Sequence, residues 1–246
     1  MPDDRSAHFS SLVSIAVLFI VLQATALPIP ATAVTYTVCS SGCNFSSIDA
    51  AVDSVLNDDV TIEVQAGTYR EQVTIEDEDG SPGHPGIVKA VNGVVTIDGS
   101  EIFSGSWSSD CGGTVYKTSL QLPAPEALPI FIDGIQYVYA PDAYQDCLLS
   151  PGEFSYSAAT QQVYVRKIGG GSPGSSTVLV RTNAIGLDLR DSDYITLEGL
   201  TVTMVRDKGL RVRGTGGSYV QGVTVTNCTS SYNARHGIAL EFARNC

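Results

Sequence analysis

Gly186-Leu-Asp-Leu-Arg190 is the first of three similar phrases, followed by Gly209-Leu-Arg-Val-Arg213 and Gly237-Ile-Ala-Leu-Glu241. Each phrase begins with glycine and then alternates apolar and polar residues, at spacings of 23 and 28 residues. This alternation is typical of a β-strand with one buried face, and a repeat of this length is typical of solenoids. Such units bury their apolar faces only by stacking on one another. The sequence therefore predicts short strands stacked in parallel.

Stacking places the residues of successive phrases in columns. The interior columns expected from the first phrase are Leu187–Leu210–Ile238 and Leu189–Val212–Leu240. A second phrase, Gly199-Leu-Thr-Val-Thr203, returns 23 residues later as Gly222-Val-Thr-Val-Thr226. Its expected interior pairs are Leu200–Val223 and Val202–Val225. On the outer face, Asp188 should lie beside Arg211 as an oppositely charged ladder pair.

Short strands and glycine turns also occur in Ile62–Tyr69 with Val73–Ile75, in Val94–Gly99 and in Tyr194–Val202. On these residues the chain resembles the right-handed parallel β-helix proteins of the pectate-lyase-like superfamily, over most of its length after residue 33. The resemblance implies an all-β fold, a right-handed parallel β-helix solenoid. It leaves the reaction open, because this scaffold carries lyases, hydrolases, esterases, epimerases and non-catalytic surface proteins.

Residues 1–33 read as a signal peptide. An apolar stretch, Leu12–Leu22, precedes two Ala-Thr-Ala sites, Ala24–Ala26 and Ala31–Ala33. The stretch is shorter than the roughly 20 apolar residues of a membrane span. We expect a secreted or cell-surface protein with no membrane contact after cleavage; an uncleaved N-terminal anchor is the alternative.

Acidic residues dominate the remaining chain, which carries 24 Asp and Glu against 13 Lys and Arg, a formal charge of −11. Such a surface repels nucleic acid, so no nucleic-acid partner is expected. A polyuronate substrate would need a local basic groove or bridging cations. We expect a monomer whose partner is a polysaccharide or another glycan.

Six cysteines in an exported chain permit disulfides. Cys39 and Cys43 are close enough in sequence to close a small loop, and Cys111 with Cys147 is the second expected pair. Cys228 and Cys246 have no evident partner.

Four segments follow the signal peptide. Residues 34–59 hold a strand and an amphipathic helix, with Ile48, Ala51, Val52, Val55 and Leu56 on one face behind an N-cap at Ser46 or Ser47. The resemblance implies that this helix caps the first coil. Residues 60–100 form the first coils, residues 101–181 a β-rich excursion, and residues 182–246 regular coils.

The excursion is rich in aromatic residues and predicts two strand pairs. One is a hairpin turning at Asp133-Gly134, and the other joins Phe154–Tyr156 to Gln162–Arg166. Its aromatic residues are Trp107, Tyr116, Tyr137, Tyr139, Tyr144, Tyr156 and Tyr164. We expect them to form a small core of their own; exposed rings would instead stack on sugars.

A run of four acidic residues, Glu76-Asp-Glu-Asp79, could hold Ca²⁺ through its carboxylates. Its spacing is not that of a known calcium loop, and the alternative is a solvated charged turn. No other cofactor or metal site is indicated.

One corner of the predicted stack collects titratable residues. Lys208 directly precedes Gly209 and His236 directly precedes Gly237, so the two should lie one coil apart; Asp207 and Arg235 come just before them. Uronic-acid lyases of the similar superfamily use a Lys or Arg base, so Lys208, Arg235 and His236 are the catalytic candidates. The substrate-binding candidates are Asp207, Arg211, Arg213 and Glu241. The alternative is that turns collect charge because they face water.

No catalytic set of the similar families can be transferred residue by residue. The chain stops at Cys246 with no C-terminal cap, so we expect the N-terminal part of a longer protein whose active site lies largely beyond residue 246. The expected function is that of a secreted polysaccharide lyase or glycoside hydrolase. The alternative is a non-catalytic extracellular β-helix used for adhesion or glycan binding.

Overall fold

The computed structural model describes residues 33–122 and 129–246, so the predicted signal peptide lies outside them up to residue 32. The described chain is mostly β, with one α-helix, α1, at Ile48–Val55. The strands are β1 Val34–Val38, β2 Val60–Tyr69, β3 Val73–Glu76, β4 Gly86–Asp98, β5 Ser100–Ile102, β6 Ser108–Asp110, β7 Val115–Ser119, β8 Phe131–Ile132, β9 Ile135–Gln136, β10 Val138–Tyr139, β11 Glu153–Ser157, β12 Gln162–Arg166, β13 Val178–Arg181, β14 Ile185–Arg190, β15 Ile195–Glu198, β16 Leu200–Thr203, β17 Lys208–Arg213, β18 Val220–Gln221, β19 Thr224–Thr226, β20 Thr229–Ser231, β21 His236–Glu241 and β22 Ala243–Arg244. Within this part of the chain, no helix has the length and apolar character that crossing a bilayer requires.

Two large sheets are built entirely of parallel pairs. One has the order β1-β2-β4-β15-β19, with β16 pairing both β4 and β20. The other has the order β3-β14-β17-β21. The chain passes from the second sheet to the first and back again, so that each pass adds strands to both. One continuous apolar core lies among these strands and α1.

The columns expected from the first phrase are confirmed. Leu187 is the register partner of Leu210, which in turn is the partner of Ile238, and the second column pairs in the same way. Ile238 and Leu240 nevertheless are 46% and 57% exposed, which corrects their assignment to the interior. Their exposure follows from the position of β21, whose second edge has no paired strand in the described ranges.

The columns expected from the second phrase are wrong. Leu197, not Val202, is the partner of Val225, and Val202 lies beside Ser230 instead, an offset of 28 residues rather than 23. The physical reason is the turn after β17, which is five residues longer than the turn after β14. The similarity of the two glycine phrases is therefore not a sign of stacking.

The predicted amphipathic helix is confirmed. Ser47 is its N-cap, and its side chain accepts a hydrogen bond from the Ala50 N–H at 3.2 Å. The carboxylate of Glu71 accepts from the Ser47 hydroxyl at 2.6 Å and from the Ile48 N–H at 2.9 Å, which places negative charge at the helix N-terminus. Its apolar side joins the main core.

Between residues 101 and 181 the pairing changes to mostly antiparallel. The sheets β10-β11-β12-β7-β6 and β5-β13-β8-β9 contain one parallel pair, β10 with β11. The predicted hairpin is present, with positive φ at both Asp133 (50°) and Gly134 (79°). Tyr137 and Phe154 are fully buried, and the aromatic residues pack into two clusters of their own. This confirms that they are core residues.

Both predicted disulfides are present, Cys39–Cys43 and Cys111–Cys147. Cys228 is free and donates its S–H to the Leu197 carbonyl at 3.6 Å, and burial raises the pKa of its thiol. Cys246 is free and exposed. Cys228 is therefore held as a thiol rather than as a reactive thiolate.

Candidate functional site

The four residues predicted to meet at one corner do so. The corner consists of Asp207 and Lys208, at the start of β17, and Arg235 and His236, at the start of β21. Lys208 and His236 are register partners on these neighbouring strands. The Asp207 carbonyl accepts hydrogen bonds from the N–H groups of Arg235 (3.0 Å) and His236 (3.2 Å), which fixes the two turns to each other.

Ion pairs occupy most charges of the corner. Lys208 Nζ lies 2.7 Å from Glu241 Oε1, and this hydrogen bond lowers the pKa of the Glu241 carboxyl. Arg235 Nη1 lies 3.7 Å from Asp207 Oδ1. The exposed His236 side chain has no hydrogen bond or ion pair with any described residue. His236 is thus the corner residue whose proton acceptor is directly available.

Arg211 is bound to Asp188 by two hydrogen bonds, from Nε at 2.8 Å and from Nη2 at 2.7 Å. This confirms the predicted ladder pair. Asp188 is 3% exposed, although its position on the outer face predicted contact with water. The hydrogen bonds raise the pKa of Arg211, so its guanidinium is engaged with the protein and only Arg213 and Glu241 of the predicted binding set extend the corner along the sheet.

Asp188 is surrounded by guanidinium groups. The Nε atoms of Arg190 and Arg213 lie 3.9 Å from its two oxygens, and Arg190 Nη2 also pairs with Glu76 at 2.8 Å. Both Nε atoms are buried and lack a hydrogen-bond partner in the described ranges. Arg190 was not predicted as part of the site, although its register with Arg213 follows from the repeat. The result is a basic strip on an acidic protein.

The acidic run at residues 76–79 does not converge on one point. Glu76 pairs with Arg190, whereas Asp79 Oδ1 accepts from the Asp193 N–H at 2.7 Å. Burial, followed by repulsion from Asp53 and its neighbours in the run, raises the pKa of Glu78. Across residues 33–122 and 129–246, no group of three or more His, Cys, Asp or Glu side chains is placed to hold a metal ion. The suggested Ca²⁺ therefore has no ligand set in this loop.

Asp191 holds the long turn after β17. Its Oδ1 accepts from the Thr215 N–H at 2.7 Å and its Oδ2 from the Thr215 hydroxyl. The hydroxyl first, and the backbone N–H second, lower the pKa of Asp191. The folded state therefore binds this proton less readily than the unfolded chain, whose aspartates titrate near pH 4. The carboxylate stabilises the fold above that pH, and this stabilisation is lost as the pH falls through the folded-state pKa.

We expect Asp191→Asn to lower the urea midpoint of unfolding at pH 7 and to match the unsubstituted protein at about pH 3. Asparagine tolerates the positive φ of 50° at this position, so the substitution tests the charge. Urea unfolding between pH 3 and 7 measures the effect. Asp58→Asn, at an exposed position with no hydrogen bond or ion pair to a described residue, is the control. A midpoint difference independent of pH would contradict the assigned role.

A cavity of about 650 Å³ lies outside the predicted set of site residues. It is lined by Glu101 and Ile102 of β5, Val180 and Arg181 of β13, and Arg206 in the turn before β17. Sequence reasoning missed it, because its walls are far apart along the chain. The available signal was Arg181, an arginine that directly continues the apolar run of residues 178–180.

No protein-family model matches this sequence, and no curated protein matches it. Two solved structures share its fold. One, described as the complex structure of XylC with xylose, has a TM-score of 0.56 at 16% identity, over 77% of this chain and 41% of that one. The other, described as a glycoside hydrolase, has a TM-score of 0.59 at 10% identity, over 82% of this chain and 63% of that one. The chain thus spans less than two thirds of either, and the similarity concerns the fold.

Proposed function

We propose that the described chain forms a right-handed parallel β-helix, with α1 covering the first coil and residues 101–181 forming an excursion from it. The parallel pairing of successive strands at offsets of 23 and 28 residues supports this architecture. So does the chain path, which returns to both parallel sheets in turn. A solenoid of this kind presents a long ridged surface on which a linear polymer can lie.

The function that we infer for this surface is action on an extracellular polysaccharide, as a lyase or a glycoside hydrolase. Export through the signal peptide at residues 1–33 is part of the proposal, and the two disulfides support it. The two structures of similar fold are described as a xylose complex and as a glycoside hydrolase, which favours a carbohydrate as the ligand.

The observation that carries the proposed site is the register of Lys208 with His236 on adjacent strands. In this proposal His236 transfers the proton, since its side chain is exposed and unengaged. Lys208 and Arg235 contact an anionic part of the glycan, and Asp207 and Glu241 orient them through their ion pairs. Arg213 continues the binding surface along β17.

A non-catalytic glycan-binding protein is the second candidate, and one contact favours it. The Lys208 ammonium lies 2.7 Å from Glu241 and its side chain is only 16% exposed. This ion pair stabilises the protonated amine, whereas a lyase base must be able to accept a proton. A protein of this class would hold the glycan without cleaving it.

Incubation of the chain with polyuronates and with neutral xylan separates the candidates. A lyase produces unsaturated sugars that absorb ultraviolet light, a hydrolase produces new reducing ends without that absorbance, and a binding protein retains the polymer with neither. Binding to none of the polymers, measured by affinity electrophoresis, would contradict both candidates.

For the enzyme, we expect His236→Ala to lower kcat by about 10²- to 10⁴-fold, because a positioned general acid or base contributes that much. Lys208→Ala should mainly raise KM. Lys89→Ala is the matched control, since Lys89 forms an exposed ion pair with Glu63 on the other sheet. Unchanged kcat in His236→Ala, with the fold retained by circular dichroism, would remove the corner from the mechanism.

A further inference from the structure

Arg181 is a buried charge without a counter-charge. Its side chain lines the cavity between β5 and β13, and the residue is only 5% exposed. Its Nε is buried without a hydrogen bond, and its guanidinium forms no ion pair with any residue in the ranges 33–122 and 129–246. The ring of Phe131, 5.6 Å from Cζ, is its one aromatic neighbour. Burial lowers the pKa of Arg181 to about 10, so the group is still a cation at neutral pH.

Such an arrangement destabilises a protein, because a buried charge needs a partner to offset its lost hydration. Other poorly exposed arginines of this chain have one: Arg70 pairs with Asp98, and Arg211 with Asp188. Arg206, the second arginine of the cavity, donates from Nε to the Thr182 carbonyl at 2.8 Å. The missing partner of Arg181 therefore has to come from outside the described chain.

We propose that this cavity binds the carboxylate of an acidic sugar, with Arg181 as its main ligand. A guanidinium offers parallel N–H groups that match the two oxygens of a carboxylate. Arg206 adds positive charge to the same wall, while the exposed Glu101 is an acceptor for sugar hydroxyls. Phe103 also lines the cavity and packs edge-to-face on Trp107 at 5.8 Å, which provides an apolar surface for a sugar ring.

The site is separate from the corner, since none of the four corner residues lines the cavity. The inference rests on the proposed function only in the choice of a sugar as the carrier of the carboxylate. A volume of about 650 Å³ lies within the range of small-molecule sites and exceeds the needs of a lone anion.

Calorimetric titration with glucuronate, glucose and acetate tests the proposal. Glucuronate should bind, glucose should bind at least about 10-fold more weakly because it lacks the carboxylate, and acetate should also bind more weakly because it lacks the ring. Equal affinity for glucose would overturn the role of the carboxylate. Equal affinity for acetate would overturn the role of the sugar. These outcomes do not depend on whether the corner proves to be catalytic.

Arg181→Met should weaken glucuronate binding by about 30-fold or more, as expected for loss of one member of a buried charge pair. The same variant should unfold at an equal or higher temperature, because it removes an unpaired buried charge. A purely structural arginine would give the opposite thermal shift. Arg181→Lys, which keeps the charge but not the fork, should be folded and bind more weakly. Arg244→Met, at an exposed position, is the control. Unchanged binding in Arg181→Met would overturn the proposal.

Discussion

Asp188→Ala is expected to lower the free energy of unfolding by about 3–5 kcal/mol, the range measured when one partner of a buried ion pair is removed. Asp188 is 3% exposed and lies among Arg190, Arg211 and Arg213. Without its carboxylate, Arg211 loses both of its short hydrogen bonds, and three guanidinium groups remain close together on neighbouring strands. Repulsion and lost hydrogen bonds thus act in the same direction.

Denaturation with guanidinium chloride measures this loss. Glu63→Ala is the matched control, because Glu63 forms an ion pair of 3.0 Å with Lys89 on a parallel ladder but is solvent-exposed. Exposed pairs contribute up to about 1 kcal/mol. The double substitution Asp188→Leu with Arg211→Met should recover part of the stability, because apolar replacements of a buried pair are well tolerated. Equal losses in Asp188→Ala and Glu63→Ala would show that burial does not govern this pair.

Gly209→Ala is expected to cost about 3 kcal/mol or more, at the upper end of the range for overpacked interiors. A Cβ at this position would overlap Ser230 Oγ and Asn233 Nδ2 and lie 2.7 Å from the Gly237 carbonyl oxygen. The Ser230 hydroxyl donates to that same carbonyl at 2.7 Å, so the added methyl group would break a hydrogen bond as well as displace the chain. The lower entropy of unfolded alanine opposes this by less than about 1 kcal/mol.

Gly237→Ala provides the comparison within the same column. Gly237 opens the third phrase as Gly209 opens the second, yet the nearest atoms to its added Cβ would be 3.5 Å away, an ordinary contact. We expect this variant to be as stable as the unsubstituted protein, measured by the same denaturant unfolding. Similar losses in both variants would mean that the glycines are needed for backbone freedom and not for space.

The sequence was sufficient to predict the strand columns where the information is local. Alternation in the three glycine phrases places Leu187 on Leu210, and the same offset places Lys208 on His236. It failed at Leu200 and Val202, because the true offset depends on the length of a turn that no strand pattern reveals. The exposure of Ile238 could not be read either, since it depends on which strand lies beyond β21.

The site was predicted in outline and missed in detail for a related reason. Residues that directly precede a repeated phrase meet by stacking alone, which is why the corner was found. The partners of a charge depend on distant parts of the chain: Glu76 reaches Arg190, and strands β5 and β13 join to make the wall around Arg181. Whether an arginine is engaged or unpaired therefore becomes visible only when the fold is known.

The unequal turns after β14 and β17 show how this architecture can change. One coil closes with the short turn at residues 191–194 and the next with a turn five residues longer, yet Leu189 and Val212 remain in register. Surface and interior are thus encoded by separate stretches of sequence. New relief can be added at the periphery of a coil, residue by residue, while the stacked ladder beneath it continues to repeat.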